Sequence, residues 1–208
     1  MDSVTINGFE CGYTLNGGAG EMVAFLNGVG MSAAHWQPIT QTLGWASAPG
    51  TGEPGGGTSS RTGFAVGRRA LLYDFRGQLM SQKLAAPYSL EQHADDLVAL
   101  LDALEIGSAH LVGTSYGAEI AMICALNHPD RVASLLLIDG VSEVGPLLRA
   151  AVESWKSAAV ADPVTFYRSL IPWNYSERYI SEHWGALRER EALIAQLPPE
   201  YFDSFAKL

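Results

Sequence analysis

The stretch H-L-V-G-T-S-Y-G at residues 110–117 carries the sharpest local pattern of this 208-residue sequence. A short apolar run precedes the turn, and an apolar segment with helical spacing follows it from Tyr116 to Asn127. A G-x-S-x-G turn between a strand and a helix exposes the serine hydroxyl at the carboxyl edge of a sheet. The pattern predicts such a turn with Ser115 as nucleophile. A chance match in a chain with 22 glycines is the alternative.

The two glycines of this turn have a predicted structural purpose. Gly113 and Gly117 lack side chains where the strand and the helix must approach each other. The first turn of the helix also offers unpaired N–H groups and the positive end of its dipole to a developing negative charge. We therefore expect the N–H of Tyr116 to be one donor of an oxyanion hole.

A second oxyanion donor is expected in the loop after an early strand. Residues 22–26 form a short apolar run, and Asn27-Gly28-Val29-Gly30-Met31 follows it. Its glycines allow the backbone to turn N–H groups inward, with Asn27 and Gly28 as supporting residues. Val29 is the preferred donor and Met31 the alternative. An ordinary glycine turn at the end of a strand is the non-functional interpretation.

In the rest of the first 140 residues, short apolar runs alternate with segments that have helical periodicity. Asn7-Gly8 between extended runs predicts an antiparallel hairpin over residues 4–15. Ser89 and Gln92 form a capping box at the start of a helix. Further buried strands are predicted at residues 70–74, 110–112 and 132–138. This order predicts an α/β fold with a mostly parallel sheet, an N-terminal antiparallel hairpin and helices on both faces.

The chain is expected to contain a core at residues 1–140 and a helical segment at residues 141–208. Within the core, residues 46–67 hold seven of the 22 glycines and are predicted to form a flexible loop. Half of the 20 aromatic residues follow Ala150. They could line an apolar lid over a pocket or simply pack the helices together.

Charge and cysteine content restrict the partners. A net charge of −9 and a pI near 4.9 argue against nucleic acid and anionic membranes, since both bind clustered Lys and Arg. The two cysteines cannot build a disulfide framework, which favours a cytoplasmic location. No targeting segment, membrane span, dinucleotide motif or metal-ligand spacing is recognised, so no cofactor and no metal are expected. A small neutral or apolar substrate fits best.

Five segments together resemble a known family. They are L-N-G-V-G-M-S-A-A-H-W at 26–36, L-L-Y-D-F-R-G-Q-L-M-S at 71–81, Y-S-L-E-Q-H-A-D-D-L-V-A-L-L-D-A-L-E-I at 88–106, H-L-V-G-T-S-Y-G-A-E-I-A-M at 110–122 and L-N-H-P-D-R-V-A-S-L-L-L-I-D at 126–139. In this order they resemble α/β-hydrolase-fold enzymes of the enol-lactonase and carboxylesterase type. The resemblance implies that Ser115 is the nucleophile, that Val29 and Tyr116 form the oxyanion hole, and that the helical segment after Gly140 caps the site.

The sequence departs from that family at three places. Asn27 stands where the family usually has histidine, and the turn after Asp74 lacks the second glycine of G-x-G-x-S. In the family the triad acid and histidine usually follow the cap on two further strands, whereas this chain ends at Leu208 in a helical segment. We therefore expect a C-terminally truncated hydrolase. Asp74 and Arg76 are expected to brace the loops through a local ion pair.

The residues that could complete a triad are few. Asp139 closes the predicted strand at 132–138, where a minority of the family places the acid, although a polar residue that ends a strand before Gly140 is the favoured interpretation. Four of the five histidines are not placed like a base, and His183 follows Ser115 but lies in a predicted helix.

Three functions follow from the sequence. The leading one is a serine hydrolase that acts on a small ester or lactone through an acyl-enzyme at Ser115. The alternative is a truncated, catalytically incompetent fragment or binding module that lacks the histidine. The third keeps the fold but changes the chemistry to that of haloperoxidase-like or carbon–carbon bond hydrolases. An exposed sheet edge at residues 132–138 also predicts self-association.

Overall fold

The computed structural model describes residues 2–17, 20–45, 68–85 and 87–207. The flexible loop predicted at residues 46–67 lies outside these ranges. The chain divides into two compact units, Met1–Ser142 and Glu143–Leu208, and the boundary expected from the sequence lies after residue 140. No helix in the described ranges is long and apolar enough to cross a lipid bilayer.

The first unit begins with the predicted hairpin. Strand β1 (Asp2–Ile6) pairs antiparallel with β2 (Phe9–Asn16). Both residues of the connecting turn have positive backbone angles, with φ of 42° at Asn7 and 79° at Gly8. A two-residue turn of this kind matches the twist of paired strands, and asparagine and glycine tolerate it best.

The sheet of the first unit is mixed. Its order in the described residues is β1-β2-β4-β3-β5-β6, with β3 at Glu21–Leu26, β4 at Arg68–Tyr73, β5 at Ala109–Thr114 and β6 at Val132–Ile138. Strand β2 pairs antiparallel with β4, whereas β4, β3, β5 and β6 run parallel to one another. The mostly parallel sheet with an antiparallel hairpin, predicted from the sequence, is confirmed. Parallel strands bring their carboxyl ends to one edge, where Ser115 follows β5.

Alternating side chains divide the core between the two faces of the sheet. In β3, Met22, Ala24 and Leu26 join one apolar cluster, whereas Val23 and Phe25 join the other. Helices α2 (Leu90–Ala103) and α3 (Tyr116–Asn127) contribute to the first cluster. The second contains residues of the 3₁₀ helix Ala33–Trp36, which leads into α1 (Gln37–Thr42). Both faces of the central strands are therefore buried, as an α/β sheet requires.

The second unit is helical. It consists of α4 (Pro146–Ala161), α5 (Pro163–Asn174), α6 (Glu177–Ile194) and α7 (Pro199–Phe205). Two of these helices begin at side-chain caps, since Asp162 accepts the N–H of Thr165 and Ser176 accepts the N–H of Tyr179. That this unit caps the site of the first unit stays a prediction.

Strand β6 lies at the edge of the sheet. In the described residues it pairs only with β5. Leu135 and Leu137 are 39% and 40% exposed on one face, and Leu136 and Ile138 are 56% and 42% exposed on the other. An apolar edge strand without charged side chains is unusual, because such an edge readily pairs with another strand.

A buried ion pair joins the turn after β4 to α2. Its cation, Arg76, binds Asp96 and not Asp74, the partner expected from the sequence. Arg76 Nε and Nη2 donate to Asp96 Oδ2 and Oδ1 at 2.5 and 2.6 Å, so the predicted pair between Asp74 and Arg76 is wrong. Asp74 instead accepts the backbone N–H groups of Ala33 and Met80. Backbone donors already occupy the Asp74 carboxylate, whereas the Asp96 carboxylate presents both oxygens to the guanidinium.

We expect Arg76→Met to lower the free energy of unfolding by about 3–5 kcal/mol, because it leaves the Asp96 carboxylate buried without its cation. Urea denaturation measures the loss. The control is Arg178→Met, which removes an ion pair whose side chains are 86% and 52% exposed and should change stability by less than about 0.5 kcal/mol. Equal effects of the two substitutions would contradict the importance of the buried pair.

Candidate active site

Ser115 occupies a sharp turn between β5 and α3. Its φ of 49° and ψ of −120° lie outside the regions that residues with a side chain normally adopt. Its N–H donates to the carbonyl oxygen of Ile138 at 2.8 Å, and its carbonyl oxygen accepts the N–H of Ala118 at 2.8 Å. A conformation of this kind costs about 1–3 kcal/mol and persists only where the neighbouring structure holds it. Here a strand holds one side of Ser115 and a helix holds the other.

The glycines around Ser115 permit this turn. A Cβ atom on Gly113 would collide with the carbonyl oxygen of Gly117. A Cβ on Gly117 would collide with the carbonyl oxygen of Leu26, and would lie 2.6 Å from that of Asn27. Any side chain at these positions would push α3 away from β5 and from the end of β3. The two glycines of the motif thus have the close contacts expected from the sequence.

The loop after β3 lies beside this turn. A Cβ atom on Gly28 would lie 3.5 Å from the carbonyl oxygen of Thr114, the residue before Ser115. Residues 28–31 form a β-turn in which the N–H of Met31 donates to the carbonyl oxygen of Gly28 at 3.1 Å, and Gly30 has a φ of 74°. The N–H of Met31 is therefore occupied. In the described ranges, the N–H groups of Val29 and Tyr116 make no hydrogen bond.

Asn27 anchors this loop from below. It is fully buried, and its Nδ2 donates to Tyr73 O at 3.0 Å, Asp74 Oδ1 at 3.1 Å and Gln78 Oε1 at 2.8 Å. Its Oδ1 accepts the indole N–H of Trp36 at 2.8 Å. A buried amide with all its polar atoms satisfied fixes its surroundings firmly. Asn27, where the family usually has histidine, thus ties the loop to the end of β4.

Asp74 continues the same network. Its carboxylate accepts the N–H of Ala33 at 2.6 Å and the N–H of Met80 at 2.7 Å. Burial raises the pKa of Asp74, and these hydrogen bonds oppose that shift by favouring the ionised form. Because its carboxylate binds backbone N–H groups of two loops beside the site, Asp74 has a structural role.

Asp139 directly follows β6, the strand that pairs with β5. The register pairs Thr114 with Ile138, so Ser115 and Asp139 follow at the ends of neighbouring parallel strands. Asp139 is exposed, and its φ of 54° marks a second strained residue at this edge. Gly140 follows it, and a Cβ there would lie 2.6 Å from the Cβ of Ala118.

None of the four histidines in the first unit forms a hydrogen bond with Ser115 in the described residues. Three of them bond to other side chains: His35 to Ser32, His110 to Ser134 and His128 to Asp95. A cavity that His110 lines lies at the amino ends of β3 and β5, at the opposite edge of the sheet from Ser115. His183 belongs to α6 of the second unit. In the described ranges, no group of three or more His, Cys, Asp or Glu side chains could hold a metal ion.

His93 is the fourth histidine, and it packs beneath the turn. It is fully buried among the rings of Phe75, Tyr88 and Tyr116, with centroid distances of 5.1, 5.8 and 5.6 Å. Neither ring nitrogen has a hydrogen-bond partner in the described residues. Burial, with a smaller contribution from the nearby charge of Arg76, lowers the pKa of His93 to about 3. This neutral ring therefore supports Tyr116 by packing.

Comparisons with known proteins agree with this geometry. A family model described as the alpha/beta hydrolase fold matches residues 52–206, which is more than half of the chain. The chain belongs to the α/β-hydrolase fold family. The resemblance inferred from the sequence is confirmed at this level.

Curated and solved relatives of this α/β-hydrolase chain extend the comparison. A protein of Azorhizobium caulinodans named "Putative carbamate hydrolase RutD" is 29% identical over 183 residues, which cover 87% of this chain and 61% of that protein. The enzyme MGS-M2 from a deep-sea metagenome library has a TM-score of 0.84 at 23% identity, covering 99% of this chain and 70% of that one. The enol-lactonase of Burkholderia xenovorans LB400 has a TM-score of 0.74 at 20% identity, covering 99% and 72%. At these identities the two structures support the fold alone.

We expect His93→Phe to remove part of the acid sensitivity of the fold. A folded-state pKa of about 3, below the ordinary 6.5, means that the unfolded chain binds a proton at His93 more readily than the folded chain. The free energy of unfolding therefore falls as the pH drops below about 6.5. Between pH 7.5 and 5, urea denaturation should show the wild-type chain losing about 2 kcal/mol more than His93→Phe. The same loss in both proteins would show that His93 is not buried in neutral form.

Proposed function

We propose that this α/β-hydrolase chain carries the acylation centre of a serine hydrolase acting on a small apolar ester or lactone. Ser115 Oγ attacks the carbonyl carbon, and the oxyanion accepts the N–H groups of Val29 and Tyr116. The leaving oxygen departs with a proton, and water then releases the acid from the acyl-enzyme. One observation carries the proposal: two unpaired backbone N–H groups belong to the loop and the helix that adjoin a strained serine.

The backbone donors suit this chemistry better than side chains would. The Tyr116 N–H begins α3, where the helix dipole places partial positive charge. The Val29 N–H lies in a turn that is bonded to the buried network of Asn27 and Gln78. Groups fixed in advance need no reorganisation when charge develops, and each such donor contributes about 10²–10³ in kcat.

A serine hydroxyl also needs a base to remove its proton. The histidines at 35, 110 and 128 bond to other side chains, and His93 is enclosed by aromatic rings. The general base must therefore be a group other than these four histidines. Asp139 is the candidate acid, because its position beside Ser115 would let it orient an incoming imidazole.

The named relatives guide the choice of substrate class. One is named for a carbamate and another for an enol lactone. Carbamates and lactones both present a carbonyl carbon bonded to a leaving heteroatom, which is the group that Ser115 would attack. We place the substrate of this chain among esters and lactones, because the net charge of −9 favours neutral over anionic acyl groups.

The competing proposal is a catalytically incompetent binding module. It is favoured by the absence of a hydrogen bond between Ser115 and the four histidines of the first unit within the described residues. The two proposals agree on the fold and differ on whether Ser115 reacts.

Two further expectations accompany the hydrolase proposal. We propose a cytoplasmic location, because Cys11 and Cys124 are both free and buried.

Self-association through the β6 edge also stays a prediction. Sedimentation velocity should show a dimer that Leu136→Lys dissociates, and a monomer at all concentrations would refute it.

Labelling with a fluorescent fluorophosphonate probe tests the hydrolase proposal. The wild-type chain should become labelled at one site, and Ser115→Ala should abolish the signal, because the probe reacts with a serine that a base activates and an oxyanion hole supports. Mass spectrometry of the labelled peptide identifies the modified residue.

Ser134→Ala is the matched control. Ser134 is exposed, whereas Ser115 is half-buried, and the Oγ of Ser134 lies 2.8 Å from Nδ1 of His110. Ser134 lies within a strand, without the turn and the two N–H donors. Its substitution should leave labelling unchanged. A folded wild-type chain that does not react, or one that reacts equally after Ser115→Ala, would support the binding module instead.

A further inference from the structure

Gln78 connects the turn after β4 to the loop that holds Val29. The side chain is buried, with 3% of its surface exposed. Its Nε2 donates to the carbonyl oxygen of Gly28 at 3.1 Å, while its Oε1 accepts Asn27 Nδ2 at 2.8 Å and the N–H of Phe75 at 3.0 Å. A loop residue with this degree of burial and this number of hydrogen bonds has a role in fixing geometry.

Two backbone groups determine which way the Gln78 amide points. The N–H of Phe75 can only donate, so it must face the amide oxygen. The carbonyl of Gly28 can only accept, so it must face the amide nitrogen. A reversed amide would oppose donor with donor and acceptor with acceptor. The bond from Gln78 to Gly28 therefore has a fixed direction.

The carbonyl of Gly28 and the N–H of Val29 belong to the same peptide group. In a planar trans peptide these two bonds point in opposite directions. Holding the Gly28 oxygen on the Gln78 side therefore aims the Val29 N–H away from Gln78. The N–H of Met31 holds the same oxygen at 3.1 Å from within the loop. Gln78 is the second anchor, and it connects the loop to the rest of the sheet.

The Gly28–Val29 peptide group needs such an anchor. Glycine has a wider range of backbone angles than other residues, so the peptide group that follows Gly28 can rotate at little cost. Rotation would turn the Gly28 carbonyl and the Val29 N–H together, because both lie in that plane, and would remove the donor from the site. A misplaced donor loses most of its value, because the oxyanion must lie about 2.7–3.1 Å from it.

We propose that Gln78 is a positioning residue that fixes the Val29 N–H for the oxyanion. It touches no reacting atom and acts only through the Gly28–Val29 peptide group. The proposal rests on the proposed function, since it presumes that Val29 serves as an oxyanion donor. It predicts that loss of the Gln78 amide harms the transition state much more than the binding of the substrate.

Steady-state hydrolysis of a p-nitrophenyl ester and the rate of fluorophosphonate labelling test the proposal. Gln78→Met keeps the length of the side chain and removes its hydrogen bonds. It should lower kcat and the labelling rate by about 10- to 100-fold while KM changes by less than about threefold. Gln82→Met is the control, because Gln82 Oε1 accepts the N–H of Glu10 in the hairpin and does not reach the loop. It should leave both rates unchanged.

The outcomes separate the two proposals. If the wild-type chain reacts at Ser115 and Gln78→Met reacts equally fast, the positioning role is overturned and the hydrolase stands. If the wild-type chain does not react, the hydrolase proposal itself fails. A reduced kcat with an equally large rise in KM would also overturn the positioning role. If Gln78→Met does not fold, the proposal is tested in the wild-type chain by measuring NMR coupling across the hydrogen bond from Gln78 Nε2 to the Gly28 carbonyl. If this coupling is absent, the proposal is refuted.

Discussion

The close approach of helix α3 to the end of strand β3 fixes the candidate site. Gly117 lies against the carbonyl oxygens of Leu26 and Asn27, and a single Cβ atom there would force the elements apart. This contact places the first N–H groups of α3 beside the loop that starts at Asn27. It also confines Ser115 to its strained backbone angles, because the strand before it and the helix after it are both fixed. The two candidate donors and the candidate nucleophile are thus positioned by backbone packing.

Beneath that contact, buried polar groups hold the loops at the carboxyl edge. Asn27, Asp74 and Gln78 share hydrogen bonds and satisfy backbone groups of three segments. Removing one partner from such a network leaves a buried donor or acceptor unpaired, which costs about 1–3 kcal/mol. Arg76 and Asp96 brace the adjoining turn in the same way. These residues serve the site by holding backbone atoms in place.

Much of the first unit could be predicted from local patterns. Helix Tyr116–Asn127 and strand Val132–Ile138 have the predicted bounds, because apolar periodicity and the proline at 129 define them within a few residues. The contacts of Gln78 and the partner of Arg76 could not be predicted, since they join residues 50 and 20 positions apart. Sequence periodicity carries no information on such pairs. The available signal is Gln78 itself, a polar residue directly after Gly77 in the turn that departs from the G-x-G-x-S pattern.

In the proposed hydrolase, Ser115, Val29 and Tyr116 form one reactive centre. A crystal structure of the chain after reaction with a phosphonate ester tests it most directly, because the phosphoryl oxygen imitates the oxyanion. We expect phosphorus bonded to Ser115 Oγ, with the phosphoryl oxygen about 2.7–3.1 Å from both the Val29 and the Tyr116 nitrogens. A phosphoryl oxygen that points away from either N–H group, or phosphorus bonded to a different residue, would contradict it.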